Sequence, residues 1–125
     1  MAKKVLLIDD DQSTIEITEF MLKKAGFDVI VAVDGFTGIK KAEEENPDVI
    51  LLDFHMPGPD GYEVCEKIKT SPKTSRIPII MITGTKMGRG VEEELIKRAD
   101  GFIAKPFDGD VLIKFVNKLI AEDKK

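Results

Sequence analysis

The chain has 125 residues, enough for one domain with a real core and too few for two. Its 42% hydrophobic and 34% charged residues describe a soluble globular protein and argue against a disordered tail. A net charge of −4 leaves no basic footprint for direct nucleic-acid binding, and the single cysteine, Cys65, excludes an internal disulfide and a multi-cysteine metal site.

Two lysines near the N-terminus precede only a short apolar run, residues 5–8, before three aspartates, so the start does not read as a secretory signal. No run reaches the roughly 20 apolar residues of a membrane helix, and a cytoplasmic protein is expected. Residues 5–8 read as a strand buried on both faces, ending at Asp9-Asp10-Asp11. A helical stretch follows, with Gly26 after Lys23-Lys24-Ala25 as its expected C-cap. A second strand is expected at residues 29–33, and Asp34-Gly35 after it opens a helix by turn and cap chemistry alone. The third strand, residues 49–52, stops at Asp53. Asp60 stands where an N-cap belongs, and Val64, Cys65 and Ile68 form a stripe on the helix behind it, with Tyr62 near its start. Residues 70–76, polar and broken by Pro72, read as a surface loop. The fourth strand, residues 79–82, stops at Thr83. Val91, Leu95 and Ala99 recur every four residues beyond it. The fifth strand, residues 102–104, runs into Lys105-Pro106. Asp108 is the expected cap of a terminal helix whose stripe is Leu112, Phe115, Val116 and Leu119. Phe20, Phe27 and Phe115 read as core, and Cys65 as a small buried hydrophobe. The last residues, 121–125, read as a fraying end.

Strict alternation of strand and helix implies an α/β, doubly wound fold: a five-stranded parallel sheet with helices on both faces. In such sheets ligands bind beyond the carboxyl ends of the strands. Four of the five runs end in a group that handles a cation or an anion: Asp9 to Asp11, Asp53, Thr83 and Lys105. Converging carboxylates repel one another unless a proton or a divalent cation sits among them, and oxygen-only donors point to a hard ion such as Mg²⁺. One aspartate of the three suffices as a helix cap, so capping alone does not account for them. An ammonium at Lys105 can neutralise a carboxylate or clamp a phosphoryl group, and Thr83 offers a hydroxyl donor.

These residues resemble the receiver domain of two-component response regulators. The likeness covers essentially the whole chain: Val5 through Asp11, then Asp53-Phe54-His55-Met56-Pro57 and Gly61, Met81-Ile82-Thr83-Gly84, and Phe102-Ile103-Ala104-Lys105-Pro106-Phe107. The resemblance implies a single receiver domain over residues 1–125, with the flavodoxin-like sheet order 2-1-3-4-5. It implies that Asp53 is the phospho-acceptor for a sensor histidine kinase or a histidine phosphotransfer protein. Mg²⁺ would be held by Asp10 and Asp53 directly, by the backbone carbonyl of His55, and by Asp9 mostly through water. Lys105 would pair with the phosphoryl group, Thr83 would move to hydrogen-bond it, and Phe102 would be the aromatic switch that follows Thr83. The Lys105-Pro106 bond matches one that is cis in the family. The output would be a changed surface made by the fourth helical stretch, the fifth strand and the terminal helix, read by a downstream protein target. The protein would be a monomer or a dimer formed on phosphorylation, and a regulatory phospho-acceptor rather than an enzyme acting on other substrates.

Three other readings compete. A non-phosphorylated scaffold of the same fold would be expected to have lost a pocket acid or the lysine, and all are present. A flavodoxin-like electron carrier needs a hydroxyl- and glycine-rich phosphate loop after strand one, where this chain has three aspartates. A phosphatase with an aspartate nucleophile wants a second acid two residues on, where His55 stands; the free ring of His55 is instead a candidate for controlling the water that hydrolyses an acyl phosphate.

Overall fold

The computed structural model describes residues 2–54, 61–83, 99–104 and 108–123. Strands β1 (Lys4–Ile8), β2 (Asp28–Ala32), β3 (Val49–Asp53), β4 (Ile79–Thr83) and β5 (Gly101–Ala104) form one parallel sheet in the order β2-β1-β3-β4-β5. Helices α1 (Gln12–Lys24), α2 (Gly35–Glu45), α3 (Gly61–Thr70) and α4 (Gly109–Asp123) accompany it, and no described helix is long and apolar enough to cross a membrane. The α/β fold, the five strands and their order match expectation. Of the fourth expected helical stretch, Val91 and Leu95 lie outside the described residues, and Ala99 is half-buried against the core.

The period-two side-chain pattern of the central strands divides the core into two layers. Val5, Leu7, Val49, Leu51, Ile80 and Ile82 meet Ile15 and Leu22 of α1 and Leu112, Val116 and Leu119 of α4. Leu6, Ile8, Ile50, Leu52, Ile79 and Met81 meet Ala42 of α2 and Val64, Cys65 and Ile68 of α3. Both faces of β1, β3 and β4 are covered, which is why their sequences read as continuous apolar runs. Each fully buried Leu or Ile contributes about 1.5–3 kcal/mol relative to exposure.

The ends of α1 follow local chemistry. Asp11 is its N-cap, its carboxylate accepting from the Thr14 N–H at 3.1 Å and from the Thr14 hydroxyl. At the other end Ala25 is the cap and Gly26 the next residue, at φ +97°. The Gly26 N–H donates to Lys23 O and the Phe27 N–H to Leu22 O, both at 3.0 Å. This paired arrangement needs the left-handed residue one place beyond the cap, so Gly26 sits one position further out than the sequence reading put it. Asp34 caps α2 and Asp108 caps α4, as expected. Asp60 lies outside the described residues.

Phe20 departs from expectation, being 67% exposed. The buried residues of α1 are Ile15, Thr18 and Leu22. Phe20 lies two positions from both Thr18 and Leu22, about 200° around the helix, and so faces outward. It lines a groove between α1 and α4 with Met21 and Ile113. Phe27 is buried and Phe115 half-buried against the α1–α4 layer, as expected. Strand β2 also stops at Ala32, leaving Val33 outside the ladder and exposed. Within the loop after α3, Thr74 is buried, its hydroxyl donating to Ile68 O at 2.6 Å, so this surface loop is pinned at its centre.

Candidate functional site

At the carboxyl end of the sheet the order reverses between β1 and β3, and both strands end in aspartate. Asp9 follows β1 directly; its N–H donates to Ala32 O at 3.0 Å, carrying the β1–β2 ladder one residue further. Asp53 is the last residue of β3 and pairs with Ile82; the next N–H, of Phe54, donates to Ile82 O at 2.9 Å. Ladder bonds on both sides therefore hold the two carboxylates at the ends of adjacent strands.

The three consecutive aspartates divide their work. Asp11 caps α1, while Asp9 folds back so that its Oδ1 accepts the Asp11 N–H at 2.9 Å. Asp9 is fully buried, Asp53 is 4% exposed and Asp10 is exposed at the mouth. One carboxylate oxygen from each of Asp9, Asp10 and Asp53 lies within 4.8 Å of the others. At that separation and an effective dielectric near 20, each pair of like charges repels by about 3 kcal/mol. Three oxygen donors, two of them buried, suit a hard divalent cation, whose charge offsets this repulsion.

Gly61 secures the chain beyond Asp53. Its N–H donates to Phe54 O at 3.0 Å, and a Cβ built on it would stand 2.7 Å from Phe54 Cα, 3.0 Å from Met81 Sδ and 3.1 Å from Asp53 O. Its place eight residues after Asp53 was visible in the motif; the closeness of two backbones was not.

Thr83 ends β4 one register step beyond Ile82, the partner of Asp53, and is half-buried at the same end of the sheet. Phe102 lies in β5 beside Met81 and is half-buried against the α2–α3 layer. The structure thus brings Asp9, Asp10 and Asp53 together and sets Thr83 at the same edge. His55, Gly84, Lys105 and Pro106 lie outside the described residues.

A doubly wound 2-1-3-4-5 sheet with an acidic cluster at its switch point defines the class. Residues 5–117 match the model of the response regulator receiver domain, and the chain belongs to that family of two-component signalling domains. Among solved structures it is similar to the chemotaxis protein CheY4 of Vibrio cholerae, at 29% identity and TM-score 0.87, covering 95% of this chain and 99% of that one. The receiver domain of a signal transduction histidine kinase from Syntrophus aciditrophicus is similar at 30% identity and TM-score 0.89, covering 97% and 92% of the two chains. That of a sensor histidine kinase from Pseudomonas aeruginosa, with a magnesium ion coordinated in its active-site cleft, is similar at 28% identity and TM-score 0.88, covering 97% and 99%.

Proposed function

We propose that residues 1–125 act as one cytoplasmic receiver unit that accepts a phosphoryl group on Asp53 in a Mg²⁺-dependent transfer from a sensor histidine kinase or a histidine phosphotransfer protein. The observation that carries this reading is the meeting of the buried Asp9 and Asp53 with the exposed Asp10 within 4.8 Å at the sheet's switch point. Family membership supports it, as does the magnesium ion in the cleft of the Pseudomonas relative.

In the transfer a carboxylate oxygen of Asp53 attacks phosphorus, the bond from phosphorus to the donor's histidine nitrogen breaks, and its electron pair leaves with the imidazole. An acyl phosphate remains on Asp53. Asp10 and Asp53 would hold Mg²⁺ directly, with the backbone carbonyl of His55 as a third protein ligand and Asp9 acting mostly through water; the ion, when bound, would supply charge that offsets the negative phosphoryl oxygens. The ladder bonds at Asp9 and Phe54 keep both strand-end carboxylates in place without reorganisation during the reaction. Lys105 pairs with the phosphoryl group, and Thr83 hydrogen-bonds it. Phe102 follows Thr83 and alters the surface made by the fourth helical stretch of the sequence, β5 and the terminal helix α4 for a downstream protein target, as a monomer or through a dimer.

The test is incubation with Mg²⁺ and acetyl phosphate followed by intact mass. One added phosphoryl group is expected, absent without the metal and absent in Asp53→Asn. A folded protein that takes no phosphoryl group and binds no Mg²⁺ would transfer the case to the constitutive scaffold.

A further inference from the structure

Helix α3 begins against the backbone that carries Asp53. A Cβ at Gly61 would lie 2.7 Å from Phe54 Cα and 3.1 Å from Asp53 O, and both neighbours are backbone, which cannot rotate away as a side chain does. Gly38 offers a contrast, since the atoms its Cβ would meet belong to the Ile8 side chain. The Gly61 N–H also bonds Phe54 O at 3.0 Å, so the contact is held as well as close. The strand end is meanwhile tied from the other side by the Phe54 N–H on Ile82 O.

We propose that Gly61 is a positioning residue for Asp53: with no side chain it lets the start of α3 seat against the Asp53–Phe54 backbone and so sets the acceptor carboxylate relative to Asp9 and Asp10. This rests on the reading of Asp53 as acceptor in a Mg²⁺ site. A methyl group at position 61 displaces the Asp53–Phe54 backbone, and the carboxylate spacing changes with it. The cost falls on metal affinity and on phosphorylation, beyond any loss of stability.

The test compares Gly61→Ala with Val64→Ala, a cavity variant one turn along the same helix, whose side chain is fully buried in the α2–α3 layer. Mg²⁺ affinity is read by calorimetry well below both melting temperatures. Gly61→Ala is expected to weaken Mg²⁺ by roughly tenfold or more, as when groups that orient metal ligands are disturbed, and to slow labelling by acetyl phosphate; Val64→Ala loses stability and keeps the wild-type Kd. A folded Gly61→Ala with wild-type Kd overturns the proposal. A second measurement needs no variant: in a Mg²⁺ titration of the wild-type chain followed by amide NMR, the Gly61 resonance is expected to move and saturate at the Kd of the site, and a Gly61 resonance that stays fixed while those of Asp9, Asp10 and Asp53 saturate overturns it. Failure of the underlying reading looks different, because the wild-type chain would then bind no Mg²⁺ and Asp53→Asn would label like wild type.

Discussion

A buried hydroxyl without a partner costs a protein more than a missing contact, because it has given up water and received nothing. Thr18 on α1 is 1% exposed, and its Oγ1 has no hydrogen-bond partner among the described residues. It faces the core between Ile15 and Leu22, where a methyl group would do better. Thr18→Val is expected to stabilise the fold by about 1 kcal/mol, read as a higher melting temperature with no change in Mg²⁺ binding. An unchanged or lower melting temperature would mean that the hydroxyl is satisfied or that Val does not fit. Thr18 was invisible as a special residue in the sequence, since a threonine on a helix is commonplace and its burial depends on which way α1 turns.

Helix α2 draws its start from Asp34, whose carboxylate accepts the Thr37 N–H at 2.8 Å and the Thr37 hydroxyl at 3.2 Å. The bond from the Thr37 backbone, then that from its hydroxyl, holds this carboxyl below the usual carboxylate range, with partial burial acting against them. A carboxyl lowered in the folded state adds stability that is present above its unfolded value and lost as pH falls through the folded one. Asp34→Asn keeps a competent cap but not the charge, so wild type is expected to exceed it in stability above about pH 5, with the gap closing in acid; a gap constant across that range would refute the link. At the opposite end of the sheet, one Asp100 oxygen accepts both the Ile79 N–H and the Lys69 ammonium at 2.8 Å, and Lys69 also reaches Ile77 O. Asp100→Ala removes this tie between α3, β4 and β5 and is expected to cost roughly 1–2 kcal/mol, measured by urea unfolding; a cost near zero would make the tie incidental. The strands and caps were legible because they rest on local signals: apolar runs between aspartates, and Asp or Gly at helix ends. The Lys69–Asp100 tie was not, since its partners lie far apart in sequence and nothing local marks them. Phe20 misled for a related reason, because an aromatic on a helix reads as core until the buried stripe is located.

For the molecule as a whole, sheet order converts strand ends that are distant in sequence into one cluster. Alternation of elements predicts a parallel sheet, and the adjacency of β1 and β3 that joins Asp9 and Asp10 to Asp53 came from the family likeness. The register then explains why the cluster is tight: Ile8 pairs with Leu52, so the next residues on the two strands are Asp9 and Asp53. Like-charged groups so placed oppose folding when no cation is present, and a cation that binds only the folded chain adds stability by mass action. Saturation at about 100 times Kd is worth roughly 2.7 kcal/mol. The melting temperature of wild type is therefore expected to climb with Mg²⁺. Asp53→Asn should reverse the order of the two proteins: neutralising one buried carboxylate relieves repulsion within the cluster and raises the melting temperature of the metal-free fold, while the response to Mg²⁺ shrinks. The two melting curves then cross as Mg²⁺ is raised. A metal-free Asp53→Asn that melts below wild type, or one that keeps the full Mg²⁺ response, would show that the three carboxylates do not act as one electrostatic unit.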